Sequence, residues 1–78
     1  MANIFDRPDL HPSIASILRY FKFDHLPEDL LPISREFGML ALWLVGVANL
    51  DGPELTVALR KLLEAKDCAV RAALDKRE

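Results

Sequence analysis

The sequence has little cysteine or glycine, and it has no excess of positive charge. Its single cysteine, Cys68, cannot form a disulfide within the chain, which is typical of a reducing compartment. None of the 3 glycines belongs to a glycine-rich loop of the kind that cradles phosphates. The net charge of −2 argues against binding to a DNA or RNA polymer, which requires a basic face. It does not exclude a small anionic ligand held by a few local cations.

Long hydrophobic runs are also missing. The longest uncharged apolar run covers only residues 39–48, whereas a membrane-spanning helix needs about 20 apolar residues. The N-terminus has no basic stretch followed by an apolar one, so we expect neither a signal peptide nor a membrane association. Together with the lone cysteine, this predicts a cytoplasmic protein.

The residues that usually perform catalysis are scattered. His11 and His25 lie in a predicted helix cap and a loop, without the spacing of metal ligands. Cys68 has no histidine placed near it by the sequence. We therefore predict no catalytic residues, no metal site and no cofactor, and we expect that the protein is not an enzyme.

Helical periodicity is what the sequence does contain. It predicts one all-α domain over residues 1–78, with an irregular arm at 1–11 and a short helix at 12–22 that begins near Pro12. A long antiparallel hairpin follows, formed by helices at 27–49 and 52–76. Pro32 can either begin the first of these or break it. Asp51 and Glu54 have the spacing of a capping box for the last helix.

The middle helix indicates self-association. The segment "MLALWLVGVA" (residues 39–48) has no charged side chain, and a helix that is apolar on all sides is normally buried on all sides. A two-helix hairpin cannot bury it alone, and small residues such as Gly38 and Gly46 permit close helix approach. We expect a homo-oligomer.

Lys66 is the first candidate for a binding residue. In the segment "ALRKLLEAKDCAVRAAL" (residues 58–74) it lies about 20° from Leu59 on the helical wheel, in the middle of the apolar stripe. It can cover apolar surface with its stem and extend its ammonium to water. Alternatively, it lies at a subunit boundary, where an unpaired ammonium would need a carboxylate or a phosphate opposite.

Four further residues suit an anionic, aromatic ligand. Ser34 and Arg35 lie near the start of a helix if Pro32 begins it, and that end of a helix favours anions. Tyr20, in "RYFKF", points away from the core residue Phe21 and can stack on a flat ring, although an interface position suits it equally. Arg71 belongs to a charged face that can simply be solvated.

Several segments together resemble a known family. "HLPEDL", "ISREF" and "LRKLLEAKDCAVRA" are similar to the helical hairpin domain shared by phage anti-CBASS and anti-Thoeris sponge proteins, and the likeness covers roughly residues 21–74. The resemblance implies a protein that binds cyclic nucleotide messengers of bacterial defence without cleaving them, in the cytoplasm of the host bacterium. The absence of a strand pattern places this chain nearer the anti-CBASS branch, which forms homohexamers with cyclic dinucleotides between protomers.

The resemblance also implies site residues. Tyr20 matches an aromatic that stacks on a base, and Arg35 matches a basic position where the family has lysine. Lys66 and Arg71 belong to the hairpin motif. The predicted ligand is a cyclic dinucleotide, with a cyclic trinucleotide at separate sites as a further expectation. Two alternatives stay open: a sponge for cyclic ADP-ribose signals made by TIR enzymes, and a structural or partner-binding helical oligomer without a small ligand.

Overall fold

All the regular structure in the described part of the chain is helical. The computed structural model describes residues 3–77, which confirms the all-α prediction for that range. The elements in chain order are α1 (Pro12–Leu18), a 3-10 turn (Arg19–Phe21), α2 (Leu31–Gly46) and α3 (Pro53–Asp75). Within that range, no helix combines the length and the apolar content that a bilayer crossing needs.

The helix α2 is shorter than the predicted 27–49 segment at both ends. Its N-terminal side is preceded by a separate turn, because the N–H groups of Leu30 and Leu31 both donate to the carbonyl of Pro27. Pro32 then lies in the first turn of α2 and begins the helix instead of breaking it. At the other end, Asn49 has a left-handed φ of 55°, which a helix cannot continue through.

The capping box predicted for α3 does not form. The N-cap is Gly52, whose φ of 88° favours glycine, and no side chain caps the helix. Asp51 therefore lies one residue before the N-cap, and Glu54 is the second helical residue. A capping box needs its two side chains at the N-cap and at the third helical residue, so this pair does not form one. Pro53 occupies the first turn, as predicted.

One core joins the three helices and the 3-10 turn. The spacing of α1 predicts an apolar face that includes Ile14, Leu18 and Phe21, and all three side chains are buried. They pack in one cluster with buried residues of α2 and α3, namely Ala41, Val45, Leu55 and Leu59. The cluster holds the 3-10 turn against α2 and α3, and this packing positions the candidate site.

The N-terminal segment belongs to this core although its sequence has no periodicity. Residues 3–11 form no helix, yet Phe5 is only 1% exposed, and its ring meets the ring of Phe23 edge-on at 5.8 Å between centroids. Gly38 makes room for it, since a Cβ there would lie 2.8 Å from the tip of the Phe5 ring. Gly38 thus permits the close approach of the N-terminal segment to α2 within one chain. A Cβ at Gly46 would meet nothing within 4 Å, so no close contact of the single chain depends on that glycine.

Candidate ligand-binding cavity

A surface cavity of about 290 Å³ lies between the 3-10 turn, the following loop, the start of α2 and the second half of α3. We call it the Tyr20 cavity. Its polar lining consists of three cations, one carboxylate, a phenol, an imidazole and a hydroxyl, contributed by Lys22, Lys66, Arg71, Asp67, Tyr20, His25 and Ser34. Four of the five residues predicted to bind a ligand thus come together: Tyr20, Ser34, Lys66 and Arg71.

Lys66 finds its partners within its own chain. Its ammonium donates a hydrogen bond of 2.8 Å to the carbonyl oxygen of Tyr20 and lies 3.5 Å from the carboxylate of Asp67. It also lies 5.9 Å from the centroid of the Phe21 ring, a distance at which cation and ring attract each other. The premise that the ammonium of Lys66 is unpaired within its own chain is therefore wrong, whereas its position at a subunit boundary stays a prediction. A carbonyl at the end of the 3-10 turn supplies the acceptor, since such carbonyls lack a partner in the helix.

Tyr20 presents its side chain to solvent at the edge of the cavity. It is 66% exposed, while the next residue, Phe21, is fully buried in the core. In a 3-10 turn consecutive side chains point about 120° apart, which explains how neighbouring aromatics have opposite environments. Because Lys66 binds the Tyr20 carbonyl, the backbone that carries the ring is fixed, and the ring is available for stacking.

Ser34 borders the cavity with an unsatisfied hydroxyl. The residue is fully buried, and its Oγ has no hydrogen-bond partner among residues 3–77. A buried hydroxyl without a partner costs about 1–3 kcal/mol, so a native structure rarely keeps one without a reason. Because Ser34 has no exposed surface, a ligand atom would reach this hydroxyl only after neighbouring side chains move.

The two arginines predicted as ligand contacts have different surroundings. Arg71 borders the cavity and donates a hydrogen bond of 3.4 Å to the Sγ of Cys68. Arg35 is not part of the lining, because a step of about 100° along α2 separates its side chain from that of Ser34. Arg35 is exposed and forms no hydrogen bond or ion pair within the described residues. In a single chain, Ser34 and Arg35 therefore do not form one site.

Sequence reasoning missed five of the nine residues that line the cavity, and Lys22 and His25 are the two cationic or titratable nitrogen-bearing side chains among them. Lys22 lies two residues after Tyr20, directly behind the 3-10 turn, so the bend of the chain brings both to the same side. The "RYFKF" segment contained the signal, a cation beside an exposed aromatic. His25 was considered only as a metal ligand or a catalytic base, and the loop geometry that brings it to the cavity has no sequence signature.

The ammonium of Lys22 is paired with the N-terminal segment. Its Nζ lies 3.0 Å from a carboxylate oxygen of Asp6, and about a third of each side chain is exposed. This hydrogen bond from Lys22 is the main cause that lowers the pKa of Asp6 below its ordinary value, and a weaker opposing effect comes from partial desolvation. The carboxylate of Asp6 is therefore ionised at neutral pH and holds the ammonium of Lys22 in an ion pair.

A second surface stands out on α2. Large apolar side chains are exposed along one stripe of this helix and just beyond it, with 51% exposure at Trp43 and 72% at Val47. We call this stripe the α2 apolar face, and it consists of Met39, Leu40, Trp43, Val47 and Leu50. A contiguous exposed apolar stripe of this kind is typical of a surface that another protein covers.

The cavity and the fold define a class: a small all-α protein with a cationic, aromatic-lined cavity. Nowhere in residues 3–77 do three histidine, cysteine, aspartate or glutamate side chains gather closely enough to hold a metal ion. Comparisons with protein-family models, curated proteins and solved structures found no match for the chain. The resemblance to the sponge proteins therefore stays a hypothesis that depends on the residues themselves.

Proposed function

We propose that the protein binds cyclic oligonucleotide messengers, above all cyclic dinucleotides, and sequesters them without cleaving them. In this proposal it is a phage protein that acts in the cytoplasm of the host bacterium and keeps CBASS effectors inactive. The observation that supports it best is the Tyr20 cavity. An acidic chain gathers three cations there, beside an exposed aromatic ring and an unsatisfied hydroxyl.

Each group matches a part of such a ligand. The ring of Tyr20 offers a face on which a base can stack, which is worth about 1–3 kcal/mol per base. Lys66 and Arg71 can attract a phosphodiester, and two cations in a half-enclosed site act more strongly than in open water. The Ser34 hydroxyl can pair with a sugar or phosphate oxygen only if neighbouring side chains move to expose it. No step of this binding requires a bond to be made or broken.

The size of the cavity favours a site shared between subunits. Small-molecule sites commonly enclose about 300–1,000 Å³, and this cavity of about 290 Å³ lies at the lower limit although a cyclic dinucleotide contains two nucleotides. One chain can therefore enclose only part of the ligand. A second copy would enclose the rest. In this proposal Arg35, which is exposed and outside the lining of its own chain, contributes to a neighbour's site.

Self-association is part of the proposal. α2 and α3 pack together, and we propose that they form the long antiparallel hairpin on which copies assemble. The α2 apolar face supplies surface for that assembly, and the resemblance suggests a hexamer. The same face also favours a second candidate function, a structural or partner-binding helical oligomer without a small ligand.

Calorimetry with intact ligand recovery would test the proposal. We would titrate the protein with cyclic di-AMP, cyclic di-GMP, cyclic GMP-AMP, cyclic tri-AMP and cyclic ADP-ribose isomers, then denature it and identify the released ligand by mass spectrometry. We expect tight binding of a cyclic dinucleotide and its recovery intact. Preference for a cyclic ADP-ribose isomer would move the assignment to the anti-Thoeris type, and a cleaved product would contradict sequestration.

The contribution of Arg35 distinguishes a shared site from a single-chain site. If copies share the ligand, Arg35→Ala weakens binding about as much as Arg71→Ala does, although only Arg71 lines the cavity of its own chain. No binding of any nucleotide by a stable oligomer would favour the structural alternative.

A further inference from the structure

Lys22 lines the Tyr20 cavity and forms an ion pair with Asp6 of the N-terminal segment, which itself lies outside the cavity lining. We propose that Lys22 is a further ligand-binding residue and that Asp6 is an internal competitor, which holds the ammonium until a phosphate of the ligand replaces the carboxylate. This inference rests on the proposed function and extends it to a residue that neither the periodicity nor the resemblance assigned. Its geometric basis is that Lys22 lines the cavity while its Nζ lies 3.0 Å from Asp6.

The backbone on both sides of this ion pair is held in place. Asp6 follows the buried Phe5, and its N–H donates to the carbonyl of Asn3. The N–H of Lys22 donates to the carbonyl of Arg19 at the end of the 3-10 turn. The exchange of partners therefore needs only side-chain rotation, which the flexible four-carbon stem of lysine permits.

The other two cations of the cavity are differently engaged. Lys66 donates to the Tyr20 carbonyl, and moving it would release the turn that carries Tyr20. Arg71 donates to a cysteine sulfur, which is a weak acceptor. Among the three cations, only Lys22 is held by a carboxylate of the N-terminal segment. A ligand phosphate that binds Lys22 would take the place of the Asp6 carboxylate, and both groups present oxygen acceptors to the ammonium.

Four proteins would be compared by calorimetry with cyclic di-AMP and cyclic di-GMP: wild type, Asp6→Asn, Lys22→Gln and the double variant. Release of Lys22 in Asp6→Asn should tighten binding roughly two- to fivefold, the range for a partly exposed ion pair. Loss of the ammonium in Lys22→Gln should weaken binding roughly five- to twentyfold, as expected for a charge-assisted contact at a partly exposed site. In the double variant, Asp6→Asn should bring no gain.

Asp9→Asn is the matched control. It makes the same change of charge in the same segment, but Asp9 pairs with Arg7 at 2.8 Å and neither residue lines the Tyr20 cavity. We expect its affinity to equal that of wild type. Thermal melting of every variant would verify that the N-terminal segment stays packed.

The outcomes separate this inference from the function on which it rests. Equal gains from Asp6→Asn and Asp9→Asn would reveal a general charge effect and overturn it, as would wild-type affinity in Lys22→Gln. If wild type binds tightly and all variants bind with the same affinity, the inference about Lys22 and Asp6 is overturned while the sponge function stands. Absence of binding in all proteins would overturn the sponge function and the inference with it.

Discussion

At the scale of single residues, Lys66 links α3 to the turn that presents Tyr20. Its side chain is only 12% exposed, yet a carbonyl, a carboxylate and a ring surround the ammonium. The apolar stripe tolerates this lysine because its stem packs with the stripe while its head reaches the end of the 3-10 turn. In the proposed function, Lys66 would therefore act by positioning Tyr20 as much as by its own charge.

Replacing Lys66 by methionine should lower both stability and ligand affinity. Lys66→Met preserves the stem and the helix but removes the donor to Tyr20, so we expect the free energy of unfolding to fall by about 1–2 kcal/mol. Urea denaturation and calorimetry would measure the two effects. Lys61→Met is the control, because Lys61 is exposed on the same helix and forms no ion pair within the described residues. Equal behaviour of the two variants would contradict this account.

Tyr20 should matter for binding and hardly at all for folding. Because its side chain is 66% exposed, Tyr20→Ala should change the free energy of unfolding by no more than about 0.5 kcal/mol. Loss of one stacked base should weaken nucleotide binding roughly 5- to 150-fold, which corresponds to about 1–3 kcal/mol. Tyr20→Phe, which retains the ring face, should bind nearly as well as wild type. A similar loss in both variants would show that the hydroxyl, and not stacking, matters.

At the scale of secondary-structure elements, α2 depends on the N-terminal segment that packs over it. Gly38→Ala would place a Cβ 2.8 Å from the Phe5 ring and 3.1 Å from the Phe21 carbonyl oxygen, and neither neighbour is free to move. We expect destabilisation of about 1–3 kcal/mol, typical of an overpacked core. Chemical denaturation would measure it.

Gly46→Ala provides the control on the same helix. A Cβ there meets nothing within 4 Å, so the gain in helix propensity should stabilise the protein by up to about 1 kcal/mol. Opposite signs for the two substitutions are the expected result. Destabilisation by both would indicate that something covers Gly46 in solution.

The turn before α2 and the end of α3 are joined by an ion pair that should respond to acid. Arg77 donates two hydrogen bonds, of 2.6 and 2.7 Å, to the carboxylate of Asp29. These bonds lower the pKa of Asp29 below 3.8, its value without a partner. The pair therefore contributes stability above that pH, and the contribution disappears as the pH falls through the lowered pKa. Asp29→Asn should remove this part of the acid dependence, as thermal melting between pH 2 and pH 7 would show.

At the scale of the whole molecule, the α2 apolar face connects stability to assembly. A chain of 78 residues buries a small core, and burying this face against another copy would add to it. If assembly and folding are coupled, the melting temperature should rise with protein concentration. The same contact would also complete a site that one chain only partly encloses.

A charge in the α2 apolar face should dissociate the proposed oligomer. Val47 is 72% exposed in the single chain, so Val47→Glu should leave the fold of a monomer intact while it introduces an unpaired carboxylate into the interface. Light scattering after size exclusion should then show a lower mass than for wild type. Lys61→Glu, with an exposed charge on α3, should keep the wild-type mass. An unchanged mass in Val47→Glu would exclude this face from the assembly.

The sequence by itself determined the fold class and four of the nine residues that line the cavity. Helical periodicity is a local property, so the apolar face of α1 and the helical segments of α2 and α3 follow from spacing alone. The resemblance and the residue chemistry likewise singled out Tyr20, Ser34, Lys66 and Arg71, which the structure places around one cavity. The start of α2 was less predictable, because the residues from Pro27 to Leu30 suit both a helix and a turn.

Only the tertiary structure decided which side chains meet. The burial of Phe5, the contact of Lys66 with Tyr20 and the pairing of Lys22 with Asp6 all depend on contacts between segments distant in the chain. Periodicity gives the face of a helix on which a residue lies, but it contains no information on what packs against that face. The irregular N-terminal segment shows this most clearly, since no local pattern marks Phe5, and the space left by Gly38 on another element is what admits its ring.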